Sequence, residues 1–118
     1  VANVNDMSSM FAGATSFNQY IGGWNVGNVV DMRNMFKDAT RFDQYIGGWD
    51  VGKVKYMDAM FYHAEKFNQD LCEWQQSRRG RCNYIFVGSS CPVTNIVDIC
   101  YSADQIQLRS ACQECSGN

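Results

Sequence analysis

Proline and histidine are nearly absent: the sequence has one of each in 118 residues, and its six cysteines all fall after residue 71. A lone histidine, His63, leaves no partner set for a nucleophile–histidine–acid arrangement. No phosphate-cradling glycine motif, calcium loop or N-x-S/T acceptor occurs. No apolar run is long enough to cross a bilayer, and the first residues lack the features of a signal peptide. The chain as given is therefore expected to be soluble and already processed or excised. Charge of one sign is missing too. Ten Lys+Arg face twelve Asp+Glu for a formal charge of -2, which supplies no electropositive face for nucleic acid. These absences predict no catalysis, no cofactor and no bound metal.

What is present is a repeat. The stretch from Phe17 to Arg41 returns almost letter for letter from Phe42 to Lys66, an offset of 25 residues, and a front-truncated copy opens the chain. A fixed period of this size marks stacked supersecondary units. Within each unit Met, Met, Phe and Ala recur at i, i+3, i+4 and i+7, as in Met32, Met35, Phe36 and Ala39. This spacing predicts the apolar stripe of a two-turn helix, with Asp6 and Asp31 placed to cap the starts of the first two. Ahead of the later helices, Ile21-x-x-Trp24-x-Val26 and Ile46-x-x-Trp49-x-Val51 predict a short strand with Trp and Val on one side. The expected fold class is α/β: a short leucine-rich-repeat-like solenoid of strand–helix coils with a disulfide-rich carboxyl-terminal cap. Its interior would hold columns of like residues, Trp24/Trp49/Trp74 among them, with Gln19/Gln44/Gln69 as an amide ladder.

The period continues faintly. Adding 25 to Met57, Met60, Phe61 and Ala64 gives Cys82, Ile85, Phe86 and Ser89. Val51 and Val54, however, map to the polar Gln76 and Arg79, and Pro92 falls where Phe67 would repeat. The expected organisation is three repeats over 1–74, a degenerate fourth repeat or cap over 75–92, and a cysteine-rich tail over 93–118. An even number of cysteines crowded into one end suggests a disulfide framework and hence a secreted protein. Cys72, Cys82, Cys91, Cys100, Cys112 and Cys115 would pair to hold the tail on the cap, with the connectivity open. The competing zinc module would need more than one histidine or a second C-x-x-C knuckle beside Cys112-x-x-Cys115. Arg78, Arg79 and Arg81 form the one basic cluster, read as a solvated loop, a processing site or an acidic contact.

The run W-N-V-G-N-V-V-D-M-R-N-M-F-K-D-A-T-R-F-D-Q resembles the BspA-like leucine-rich-repeat family, and the resemblance covers residues 1 to about 74. It implies a surface or secreted protein engaged in adhesion and protein contacts without catalysis. The segment N-Y-I-F-V-G-S-S-C-P resembles the cysteine-bearing cap of secreted eukaryotic microbial members. Where the family pattern keeps Asp after F-N-Q, this chain has Tyr20 and Tyr45, a candidate aromatic contact stripe.

Val1 aligns with Val26 and Val51, so the Ile and Trp that precede each of those have no counterpart in the first unit. The first complete strand, around Ile21 to Val26, is expected to leave an open edge that invites pairing. An upstream coil, a neighbouring molecule or a local rearrangement would each cover it. Val1, Tyr20, Ile21, Tyr45, Gln76 and Arg79 are the candidate interface residues. The expected function is that of an extracellular structural or adhesive component, self-associating (head-to-tail into a filament in one form) or contacting other surface proteins. A glycan- or receptor-binding module cut from a longer array is the alternative.

Overall fold

A computed structural model describes residues 3–71, 73–74, 82 and 84–91 of the chain. The expected helices and strands are not there. Among the described residues no α-helix forms, the one helical turn is a 3₁₀ turn at 73–74, and extended pairing is confined to single-residue parallel bridges, Asp6 to Asp31 and Asp31 to Tyr56. The α/β leucine-rich-repeat solenoid of strand–helix coils is therefore overturned.

The M-x-x-M-F-x-x-A-x-x-F segment folds instead as a train of β-turns. In the second copy, hydrogen bonds close turns from Met35 N to Met32 O (3.3 Å), Lys37 N to Asn34 O (3.2 Å), Ala39 N to Phe36 O (3.0 Å) and Phe42 N to Ala39 O (3.1 Å). Two residues per train sit in the left-handed region: Asn34 and Asp38 here, Ser9 and Gly13 in the first copy, Ala59 and His63 in the third, Tyr84 and Gly88 in the fourth. Left-handed residues at the third place of a turn define the type II pattern, and they stop an α-helix from propagating. Gly13, Asn34, Asp38 and Gly88 suit that conformation, whereas Ala59 adopts it at a steric cost.

The apolar spacing that imitates a helix arises because the corner residues of successive turns point inward and the middle residues outward. Met32, Met35, Phe36, Ala39 and Phe42 are fully buried, while Arg33 and Arg41 between them are exposed. The two aspartates do accept backbone amides, but of turns rather than helices: Ser8 N donates to Asp6 Oδ1 (2.9 Å) and Arg33 N to Asp31 Oδ1 (3.0 Å). The Ile-x-x-Trp segments also bend. Trp24 N bonds Ile21 O and Trp49 N bonds Ile46 O, each at 3.1 Å, which turns the chain at the glycine pairs and prevents a strand.

Amides freed from helical bonding reach the next copy. Met32, Asn34, Phe36 and Asp38 donate to the carbonyls of Tyr56, Asp58, Met60 and Tyr62 at 2.8–3.0 Å. The same row runs one copy earlier, from Met7, Ser9, Phe11 and Gly13 to Asp31, Arg33, Met35 and Lys37 at 2.7–2.9 Å. It continues into the fourth copy from Phe61 to Ile85 and from His63 to Val87. The copies, called coils one to four below, thus lie one on another in a register of about one repeat.

All seven phenylalanines of the chain join one stack. Phe11, Phe36, Phe61 and Phe86 follow each other at 5.5–5.8 Å between ring centroids. Phe17, Phe42 and Phe67 follow at 5.7–5.9 Å, and each of the first three coils pairs its two rings at about 4 Å. Burying such a ring removes on the order of 150–250 Å² from water, so this stack dominates the apolar stabilisation.

The tryptophans bind across coils by a polar contact: Trp49 Nε1 donates to Ile21 O and Trp74 Nε1 to Ile46 O, both at 3.1 Å. The amide ladder forms, with different partners from those expected. Gln44 Nε2 reaches Asn18 Oδ1 (3.0 Å) and Gln69 Nε2 reaches Asp43 Oδ1 (2.7 Å), so each glutamine bonds the preceding coil's Asn or Asp.

Candidate interaction surface at the open end

Equivalent residues of the coils differ in exposure. Met10 is 47% exposed, whereas its counterparts Met35 and Met60 are fully buried. Phe11, Phe17 and Trp24 are half-buried, whereas Phe36, Phe42 and Trp49 beneath them lie in the core. Trp24 is tilted against Phe11 at 6.0 Å. The other end differs: Trp74, Ile85 and Phe86 are fully buried.

The backbone of the open end is as distinctive as its side chains. In coils two and three the row of carbonyls facing the preceding coil is satisfied by that coil's amides. In coil one the corresponding carbonyls of Ser8, Met10 and Ala12 receive no hydrogen bond from any described residue. The indole N–H of Trp24, whose equivalents in Trp49 and Trp74 bond the coil before, likewise meets no acceptor among the described residues.

Tyr20 and Tyr45 expose their rings, at 65% and 41%. Each ring folds back over a glycine of its own coil: a Cβ at Gly22 would stand 2.5 Å from Tyr20 Oη, and one at Gly47 would stand 2.6 Å from Tyr45 Cε1. Tyr45 Oη donates to Glu73 Oε2 at 2.9 Å. Partial burial, followed by that hydrogen bond, raises the Tyr45 phenol above its ordinary value.

The remaining sequence candidates separate. Ile21 is a core residue, 4% exposed, and its carbonyl accepts the Trp49 indole N–H. Val1, Gln76 and Arg79 lie outside the described residues, as do Cys72, Cys100, Cys112 and Cys115. Cys82 and Cys91 are buried and disulfide-bonded. His63 projects from a left-handed turn position, stacks on Tyr62 at 4.2 Å and places Nδ1 3.6 Å from Asp38 Oδ1. Among the described residues no group of three His, Cys, Asp or Glu side chains is placed to hold a metal ion. No described helix is long and apolar enough to cross a membrane.

Sequence reasoning expected an open edge on a strand around Ile21 to Val26, and no strand forms there. It missed Met10 and the carbonyl row, because both follow from turns that the helical spacing concealed. The available signal was Gly13, Asp38 and Gly88, turn-forming residues at matching positions of the repeat, with Asn34 at the other left-handed position.

No curated protein matches the chain, and no solved structure does. One family matches over residues 1–98, and it is described as "Mycoplasma protein of unknown function, DUF285". With its layered turn-built repeats lying within that match, the chain belongs to the DUF285 family.

Proposed function

We propose that this chain is a non-catalytic surface repeat module, BspA-like in its role, that works by protein contact through the exposed face that carries Met10. One observation carries the reading: Met10 stands 47% exposed at a position that is fully buried in the two coils beneath it. Large apolar side chains gathered at one face are characteristic of contact sites. Membership of DUF285 is compatible with a BspA-like surface protein. A disulfide framework over the six cysteines, secretion and display at the cell surface complete the proposal.

The test is attachment. Beads coated with the protein should bind cells of the organism that makes it, and Met10→Asp should abolish binding without loss of fold. Equal attachment by both proteins, or none by either, would overturn the reading.

Glycan binding is the second reading, favoured by the exposed Tyr20 and Tyr45 rings laid over Gly22 and Gly47. A glycan array probed with the wild type and a Tyr20→Ala/Tyr45→Ala variant separates the two. Sugar binding that the double variant loses would replace protein contact as the conclusion.

A further inference from the structure

We propose that the exposed ring of Tyr45 and the carboxylate of Glu73 form a docking site for an arginine side chain carried by a basic segment of a partner protein. These residues are not those of the Met10 contact, so the inference stands apart from that reading.

The molecule already holds one arginine in this manner. Arg33 lies over the Tyr56 ring, its Cζ 5.0 Å from the centroid. The same guanidinium forks onto Asp31, Nε donating to Oδ1 at 3.0 Å and Nη2 to Oδ2 at 2.6 Å. A planar guanidinium makes both contacts at once, stacking by its face and bonding a carboxylate by its edge. Tyr45 and Glu73 supply the same two elements: a ring 41% exposed, and a carboxylate whose Oε2 accepts the phenol O–H at 2.9 Å. Among the described residues no cation stands over this ring, whereas Tyr56 carries Arg33 and Tyr62 carries Lys37, the latter at 5.8 Å.

The repeat shows why the pair arises at this level. Glu73 stands where coil two has Gly48, and Asp70 where coil two has Tyr45. Coil three thus sets two acids next to an aromatic ring of coil two. Gly47 makes room for that ring, since a Cβ there would stand 2.6 Å from Tyr45 Cε1. Gly48 is exposed, and a Cβ there meets nothing within 4 Å, which leaves the approach open. The local charge has one sign. Burial raises the Tyr45 phenol most, and Glu73, Asp70 and Tyr20 raise it further, while no cation among the described residues acts on it. A carboxylate offers about four acceptor positions, so a guanidinium bonds Glu73 without displacing the phenol. A lysine ammonium matches the charge but not the fork.

The test is a titration of the full chain, read from the backbone amide signals of Gly47 and Gly48 in the isotope-labelled protein. The probe is a capped Gly-Arg-Gly peptide, compared with Gly-Lys-Gly and with Gly-citrulline-Gly, whose side chain keeps the shape and loses the charge. The arginine peptide should bind with a dissociation constant on the order of 1 mM, the lysine peptide about three-fold more weakly, and the citrulline peptide without detectable shift. Glu73→Gln should weaken arginine binding about five-fold, and Tyr45→Leu should abolish it. Glu73 is exposed, so its variant keeps the fold and decides alone if Tyr45→Leu does not fold. No shift with the arginine peptide, or wild-type affinity in Glu73→Gln, would overturn the site. Equal affinity for citrulline would overturn recognition of charge, and equal affinity for lysine would overturn arginine as the occupant. The chain's own Arg78, Arg79 and Arg81 are a second source of arginine. Shifts at Gly47 and Gly48 that grow on concentrating the peptide-free protein would overturn a separate partner in favour of a second copy.

Discussion

At the scale of single residues, neighbouring glycines give opposite expectations. A Cβ at Gly47 would stand 2.5 Å from the Asp70 backbone carbonyl, which cannot swing aside as a side chain does, while one at Gly48 meets nothing within 4 Å. Gly47→Ala should therefore lower stability by about 1–3 kcal/mol, and Gly48→Ala should change it by less than about 0.5 kcal/mol, both read from urea midpoints. Phenylalanine truncation follows depth in the same way. Phe36→Ala removes a fully buried ring with rings on either side in the stack and should cost about 3–5 kcal/mol. Phe11→Ala, at the half-open end, should cost clearly less.

Tyr45 adds a pH dependence. Burial and the Glu73 hydrogen bond favour its neutral phenol in the folded state, while the unfolded phenol ionises near pH 10. The contribution is fully present below about pH 10 and is lost as pH rises through the higher folded value. Wild type should accordingly lose more stability between about pH 9 and pH 11 than Tyr45→Phe, a small difference at so exposed a group. Equal losses in the two proteins would contradict the assignment.

At the scale of the element, the turn train and the helix make opposite predictions at Ala59. Its φ of 56° lies in the left-handed region, where alanine is strained and glycine is not. Ala59→Gly should stabilise the protein by about 0.5–1 kcal/mol; a helix at this position would instead lose about 1 kcal/mol. Thermal unfolding of the single variant decides between them. The contrast also shows how much of the fold was legible. The period, the buried corner residues and the coil-to-coil register follow from Met32, Met35, Phe36 and Ala39 recurring at fixed distance, because like residues at a fixed interval bury best against each other. The conformation between them did not follow. A chain of overlapping β-turns places apolar residues at i, i+3, i+4 and i+7 just as a helix does, so periodicity alone does not separate the two. Only the residues at the left-handed positions distinguish them, and Ser9, Ala59, His63 and Tyr84 are ordinary enough there to hide Gly13, Asn34, Asp38 and Gly88. The same blindness extended to the site. The edge expected on a strand has no strand to carry it, and the exposure of Met10 follows from turns that the helical spacing concealed.

At the scale of the whole molecule, burial differs from coil to coil: Met10 in coil one is 47% exposed, while the described part of coil four buries Cys82, Ile85 and Phe86 completely. The molecule has a direction, set by amides that run from each turn train to the next. Everything drawn from it depends on amides bonding between coils instead of within a helix. The most direct measurement is the scalar coupling across hydrogen bonds in the isotope-labelled protein, read at the amide of Asn34. The layered turns predict coupling from Asn34 N–H to the Asp58 carbonyl, 3.0 Å away in the next coil. Coupling to the Val30 carbonyl, four residues back as in an α-helix, would contradict the account.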